Sequence, residues 1–194
     1  MDSKKEGKVK SSRLMKFYPA VFITILVVVM VSLIAFTNNL TWPKIRVQVE
    51  QKTLELLREI FPETSYFVYN KNIGVYTTYD DSAYVVGYAF YGSSKGYRSD
   101  VVVLVGLKDR ETIKDIIVVL HYEDWEYWMK LQRQNFFDQF INLKIEDCNL
   151  NEKGYEVNFK EVQNVTGATV SCNAVVDAVR EAALEKVKFI EFIE

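Results

Sequence analysis

Three hydroxyl residues and two small ones fall within six positions, Thr166-Gly167-Ala168-Thr169-Val170-Ser171, and a long helical pattern follows from Cys172 to about Phe192. A loop that enters a helix N-terminus presents backbone N–H groups with no partner in the helix, together with the positive end of the helix dipole. Such a place suits a phosphate. Gly167 and Ala168 leave the approach clear, and Thr169 adds an oxygen at the right end. An ordinary N-cap explains the same spacing, since Thr or Ser beside Gly is common at helix starts. Spacing alone leaves both readings open.

Other chemistry is thinly represented. The single histidine, His121, excludes a multi-histidine metal site, and no metal site is expected. Cys148 and Cys172 are too few for a cysteine cluster. A disulfide between them would need close Cα atoms, and buried thiols are the favoured alternative. Cys172 sits at a predicted helix start, where a thiol pKa can fall, although packed neighbours are the simpler expectation. Gly92-Ser93-Ser94-Lys95-Gly96 spells G-x-S-x-G but closes one predicted strand ahead of another rather than opening a helix, so it makes no nucleophile elbow, and no glycine-rich loop of Walker or Rossmann spacing is present. Asp80-Asp81 reads as a turn.

The elements that must position these residues follow from composition and periodicity. Residues 1–16 hold six basic and two acidic residues, a balance of +4, and the stretch 17–36, FYPAVFITILVVVMVSLIAF, carries no charge. Twenty uncharged, predominantly apolar residues match the length a helix needs to cross the hydrocarbon core. No small-residue cleavage pattern follows it, so an uncleaved anchor is expected rather than a signal peptide. The basic tail places the N-terminus in the cytoplasm and the rest on the other side of the membrane. The remaining 18 basic and 24 acidic residues leave a balance of −6, which argues against nucleic acid as a partner.

Residues 37–64 read as a helical connector, with a helix over 43–60 between Pro43 and Pro62. Residues 65–194 form the expected extracytoplasmic domain. Strands are predicted at 66–69, 74–79, 83–91, 101–107 and 113–121, the last two as a central hairpin in a bent antiparallel sheet. Gly92 to Gly96 is expected to close the third strand. Residues 122–142 look helical or loop-like, with Trp125, Trp128, Met129, Phe136, Phe137 and Phe140 as a packing surface. Short strands are expected at 144–145 and 155–162, around a turn over 149–154. The last helix carries an apolar stripe of Val175, Val176, Val179, Ala183, Val187 and Ile190. The fold class is therefore α+β, with one N-terminal transmembrane helix and helices flanking the sheet.

T-G-A-T-V-S leading into C-N-A-V-V-D-A-V resembles the flavinylation motif of the FMN-binding domain family, Ser/Thr-Gly-Ala-Thr-x-Ser/Thr before an apolar helix. Gly96-Tyr97 followed by the hairpin ending in His121-Tyr122-Glu123 resembles that family's strand–turn–strand with His-x-Glu. Phe136 to Phe140 matches its aromatic segment. Size, order and anchor resemble the G-subunit branch of Rnf-type electron-transport complexes, related to the C-subunit branch of sodium-translocating NADH:quinone oxidoreductases.

The resemblance implies an electron-transfer flavoprotein subunit of a ferredoxin:NAD oxidoreductase coupled to sodium or proton translocation, with no substrate chemistry of its own. It implies FMN bound covalently through a phosphoester to Thr169, installed by a separate flavin transferase. Thr166, Gly167, Ala168 and Ser171 would shape the phosphate end, and His121 and Glu123 would lie near the flavin. Partners would be the other membrane subunits of the complex. A non-redox assembly subunit, or an FMN domain of another membrane reductase or sensor, is the alternative. Two positions depart from the family pattern. Gln163 stands six residues before Thr169, where an acid is usual. Asp124-Trp125-Glu126-Tyr127-Trp128 replaces the usual Thr-Pro-Gly-Leu-Gly, so the covering loop must differ, with Trp125 and Trp128 either packed or stacked on the flavin.

Overall fold

A computed structural model describes residues 3–151 and 161–190, with side chains described for 18–38, 48–150 and 161–190. Two compact units divide the chain, Met1–Gln51 and Lys52–Glu194. The first consists of helix α1 (Ser3–Ile60) up to Gln51. Within it Tyr18–Asn38 spans 21 residues with a mean hydropathy of 2.8 and no buried side chains. It is long and apolar enough to cross a membrane. Pro43, expected to open a separate connector helix, falls inside α1 instead. A proline removes one N–H donor from a helix, and the many remaining bonds of a helix this long carry it past that position.

The second unit holds a six-stranded antiparallel sheet in sequential order: β1 (Tyr66–Asn70), β2 (Val75–Tyr79), β3 (Val85–Lys95), β4 (Asp100–Leu107), β5 (Thr112–Leu120) and β6 (Leu143–Lys144). Sequential order follows from short turns between β-branched and aromatic runs. β3 runs four residues past the expected end, because Gly92 to Lys95 pair with Val103 to Asp100. β4 is central, as its continuous apolar run predicts. β5 is next to last, and β6 covers it only at Thr112 and Ile113. The N–H groups of Asn142 and Ile145 reach the carbonyls of Lys114 and Glu111, which satisfies part of that exposed edge.

Side chains alternate across the sheet. Tyr88, Phe90, Val103 and Val105 face one layer, while Ala89 and Leu104 face the other. Leu107 pairs with Ile113 but Gly106 pairs with Asp115, which leaves Lys114 as a bulge. The extra residue brings Ile113 and Ile116 to the same face.

Helix α3 (Thr169–Lys186) covers the first face, burying Cys172, Val175, Val176, Val179 and Ala183 against it. It begins three residues before the pattern that opens at Cys172, and it ends sooner than that pattern indicates. Each such side chain contributes roughly 1–3 kcal/mol by leaving water. Leu57, Ile60 and Phe61 cover the second face, with the Phe61 ring in the space left by Gly87 and Gly106. Helix α2 (Trp125–Arg133) and 3-10 turns at Phe137–Phe140 and Ile145–Asp147 fill the ends of the core.

The aromatic segment is packed as expected at Trp128, Phe136 and Phe140, but Trp125 is 75% exposed. It opens α2, ahead of the buried positions Trp128 and Leu131. Leu150–Asn151 (β7), expected within a turn, instead pairs in parallel with Val162–Gln163 (β8). Most of the strand expected over 155–162 lies outside the described residues. Cys148 and Cys172 are free and buried, and burial pushes their thiols up to about 12 and about 11. Desolvation of the thiolate outweighs the helix start at Cys172.

The sheet and α3 come very close at Gly92. A Cβ there would overlap the Ala178 carbonyl and lie 2.9 Å from the Ala182 methyl. Backbone, not a flexible side chain, blocks it. Gly92→Ala is therefore expected to push α3 off the sheet and lower stability by about 1–3 kcal/mol, read as a drop in the urea midpoint of the detergent-solubilised chain.

Candidate functional site

The loop before α3 turns on Gly167, whose φ of +80° favours glycine. The Ala168 N–H reaches the Val165 carbonyl at 3.0 Å, and the Cys172 N–H reaches the Ala168 carbonyl at 3.0 Å. Ala168 occupies the N-cap and supplies no side-chain cap. The N–H groups of Thr169, Val170 and Ser171 therefore have no partner within the helix. A loop built only to cap α3 would place a hydroxyl or carboxamide at the N-cap. This one places an alanine there and puts its hydroxyls on either side.

A cavity of about 270 Å³ opens at this helix start, lined by Tyr97, Tyr127, Gly167, Ala168, Thr169, Val170 and Ser171. Tyr97 follows β3, and Tyr127 lies in the first turn of α2. Their rings meet edge to face with centroids 6.0 Å apart. Lys130, one turn along α2, holds its ammonium 5.4 Å from the Tyr127 ring centre and 3.4 Å from Glu126. The same ammonium is 3.4 Å from where a Gly167 side chain would stand. A cation and a helix N-terminus thus flank one small cavity. Thr166 is exposed and does not line it.

Glu123 is 7% exposed. A buried carboxylate is costly unless it is hydrogen-bonded. Its Oε2 accepts a short hydrogen bond from the Ser171 hydroxyl, and its Oε1 accepts the Arg98 backbone N–H at 3.2 Å. The carboxylate also fills the space where a residue 96 side chain would be, so only glycine fits there. Asp124 adds an ion pair to Arg98 at 2.8 Å. Glu123 thus stands one hydrogen bond from the cavity wall without lining it.

His121 stacks on buried Trp128, with ring centres 3.7 Å apart and planes 17° apart. Its Nδ1 is buried and has no partner among the described residues. Burial holds its pKa below the usual histidine value, against the opposing pull of Glu123. Trp128 is packed between His121 and Phe137 rather than open to a ligand.

Thr169 is half-buried. Its Oγ1 accepts a hydrogen bond from Asn164 Nδ2 at 3.0 Å. Gln163 turns its side chain to the Glu161 carbonyl at 2.9 Å, and its own backbone is bracketed by the Gln139 carboxamide at 2.7 and 3.3 Å. Sequence spacing does not single out Tyr127, Lys130 or Asn164. Tyr127 and Lys130 are three apart on α2 and so share a face, a signal visible once that helix is known. Nothing in the spacing of Asn164 points to Thr169.

A larger hollow, about 560 Å³, lies over residues 84–88 and 108–112. Its Asp109 carboxylate is committed to the N–H groups of Glu111 and Thr112, 2.8 Å each, so its polar chemistry closes the β4–β5 turn.

Residues 96–184 match the FMN-binding domain family. The chain is 27% identical over 175 residues to the G subunit of the ion-translocating oxidoreductase complex of Methanosarcina acetivorans, covering 84% of this chain and 90% of that protein. It is 27% identical over 160 residues to the protein of the same name from Haemophilus influenzae, covering 75% and 77%. The crystal structure of NqrC from Shewanella oneidensis aligns with a TM-score of 0.48 at 19% identity, over 66% of this chain and 70% of that one.

The folded pKa of His121 lies below its unfolded value, so the folded state disfavours the proton. Stability is complete above about pH 6.5 and falls as pH drops from there towards the lowered folded pKa. Thermal unfolding between pH 7.5 and 5 should show this loss, and His121→Phe, which keeps a ring against Trp128, should reduce it.

Proposed function

We propose that this chain, which carries an FMN-binding domain over residues 96–184, is the membrane-anchored electron-transfer flavoprotein subunit of an Rnf-type ion-translocating oxidoreductase complex, with FMN esterified to Thr169. The observation that carries the reading is the position of Thr169. Thr169 is the first residue of a helix without a side-chain cap, and it lines a cavity that two tyrosines also line.

The residues present fit an FMN phosphate. Three N–H groups without helical partners and the Lys130 ammonium supply donors and positive charge for a phosphodiester. The bare Cα of Gly167 lets the phosphate approach the backbone. A cavity of about 270 Å³ falls below the usual range for whole ligand sites, roughly 300–1,000 Å³. It would therefore hold the phosphate and part of a flavin. Tyr97, 60% exposed, and Tyr127 offer aromatic surface on its wall.

When bound, FMN supplies one- and two-electron redox chemistry, and the protein sets its position and surroundings. The chain's own work is mechanical and electrostatic. Thr169 provides the tether, and the α3 N-terminus and Lys130 neutralise the phosphate. Glu123 holds Ser171 and the β3–β4 turn together so that the cavity walls keep their spacing. Esterification by a flavin transferase would join Thr169 Oγ1 to the flavin phosphoryl group as the bond to the donor's leaving group breaks, and would prevent loss of the cofactor from a domain outside the cytoplasm. α1 keeps that domain at the membrane beside the other subunits, with its basic N-terminus on the cytoplasmic side.

Co-expression with a flavin transferase should add the mass of one FMN less water to the wild-type chain, and Thr169→Ala should abolish the gain completely. Intact-mass spectrometry reads both. A wild-type chain that stays unmodified would overturn the reading.

A further inference from the structure

The side chain that meets the acceptor hydroxyl is Asn164, not the residue six positions before Thr169. Asn164 Nδ2 lies 3.0 Å from Thr169 Oγ1, while Gln163 points to the Glu161 carbonyl. The Asn164 Oδ1 is buried and has no partner among the described residues. A carboxamide with one end unsatisfied in the interior costs free energy, so its remaining contact, with Thr169, is the one that orients it. Its backbone is fixed on both sides. Gln139 brackets Gln163 through the main chain, and Val165, 2% exposed, accepts the Ala168 N–H.

We propose that Asn164 is a positioning residue for modification of Thr169: its Nδ2–H fixes the rotamer of the Thr169 hydroxyl and then holds the ester oxygen. This rests on the proposed function above. The geometry explains both stages. Threonine is β-branched and stiff at χ1, so one hydrogen bond chooses among few wells. The bond occupies one lone pair of Oγ1, leaving the other free for attack.

With a flavin–nucleoside pyrophosphate as donor, the Oγ1–P bond forms as the phosphoanhydride P–O bond breaks. The nucleoside monophosphate leaves with the electron pair, and the hydroxyl proton passes to a base of the transferase. The ester oxygen that results has no proton, so only a donor can face it. Nδ2 is such a donor, and a carboxylate is not.

The test follows the full-length chain in detergent with purified flavin transferase and flavin–nucleoside pyrophosphate, by intact mass over time. Asn164→Ala and the isosteric Asn164→Asp should each lower the modification rate constant about tenfold or more, a factor equal to ~1.4 kcal/mol. The final extent of modification and the thermal midpoint should stay close to wild type. A purely structural role would instead reduce the modifiable fraction at an unchanged rate constant, with Asp behaving like Asn. Equal rate constants for wild type and Asn164→Asp would overturn the inference alone, and that variant decides the matter if Asn164→Ala does not fold. A wild type that gains no mass overturns the proposed function and this inference with it.

Discussion

The buried carboxylate of Glu123 joins the pieces on which the site depends. It follows β5, accepts the Ser171 hydroxyl at the start of α3, and accepts the Arg98 N–H after β3. Three segments distant in sequence meet on one side chain. Removing either oxygen's partner would leave a buried charge short of donors, which costs several kcal/mol when no water can replace it. The same carboxylate excludes a side chain at Gly96. The turn carrying Tyr97 and the helix carrying Thr169 are therefore held at one spacing by a single group.

The contact at Gly92 and Ala178 works with it. Layer spacing between α3 and β3 is set by backbone atoms that only a glycine permits, so the helix cannot slide along the sheet without collision. Glu123 fixes the N-terminal end, and the apolar stripe from Cys172 to Ala183 fixes the rest. A helix restrained in this way keeps its dipole aimed at one place. Such preorganisation would favour an anion at the uncapped N-terminus, since the donors would need no gathering.

The environment around the cavity is divided. On one side are groups that favour negative charge: the N–H groups of residues 169–171 and the Lys130 ammonium. Beyond Ser171 lies the Glu123 carboxylate, already committed to protein donors. His121 and Trp128 form a stacked pair in the packed region, and desolvation keeps the imidazole inclined to be neutral. Their role here is to support α2, and α2 in turn presents Tyr127 and Lys130.

Much of this is legible in the chain. The charge-free run after a basic tail reports an anchor because solvation in a bilayer depends on composition alone. The alternating strands and the stripe on α3 follow from periodicity, and the small residues around Thr169 from the demands of a close turn. The near-edge place of β5, the parallel pairing of Leu150–Asn151 with Val162–Gln163 and the exposure of Trp125 are not legible, because each depends on which surface a distant segment occupies. Type and spacing, which are local, mark the loop around Thr169 but leave an ordinary cap open, and it is the resemblance of its motif to a known family that singles out Thr169. That Asn164 rather than Gln163 reaches its hydroxyl, that Glu123 sits behind Ser171, and that Tyr97, Tyr127 and Lys130 surround the cavity are decided by tertiary structure. Hydrogen bonds and steric exclusion act over about 3 Å in space, and nothing in a linear pattern records which residues the fold brings within that distance.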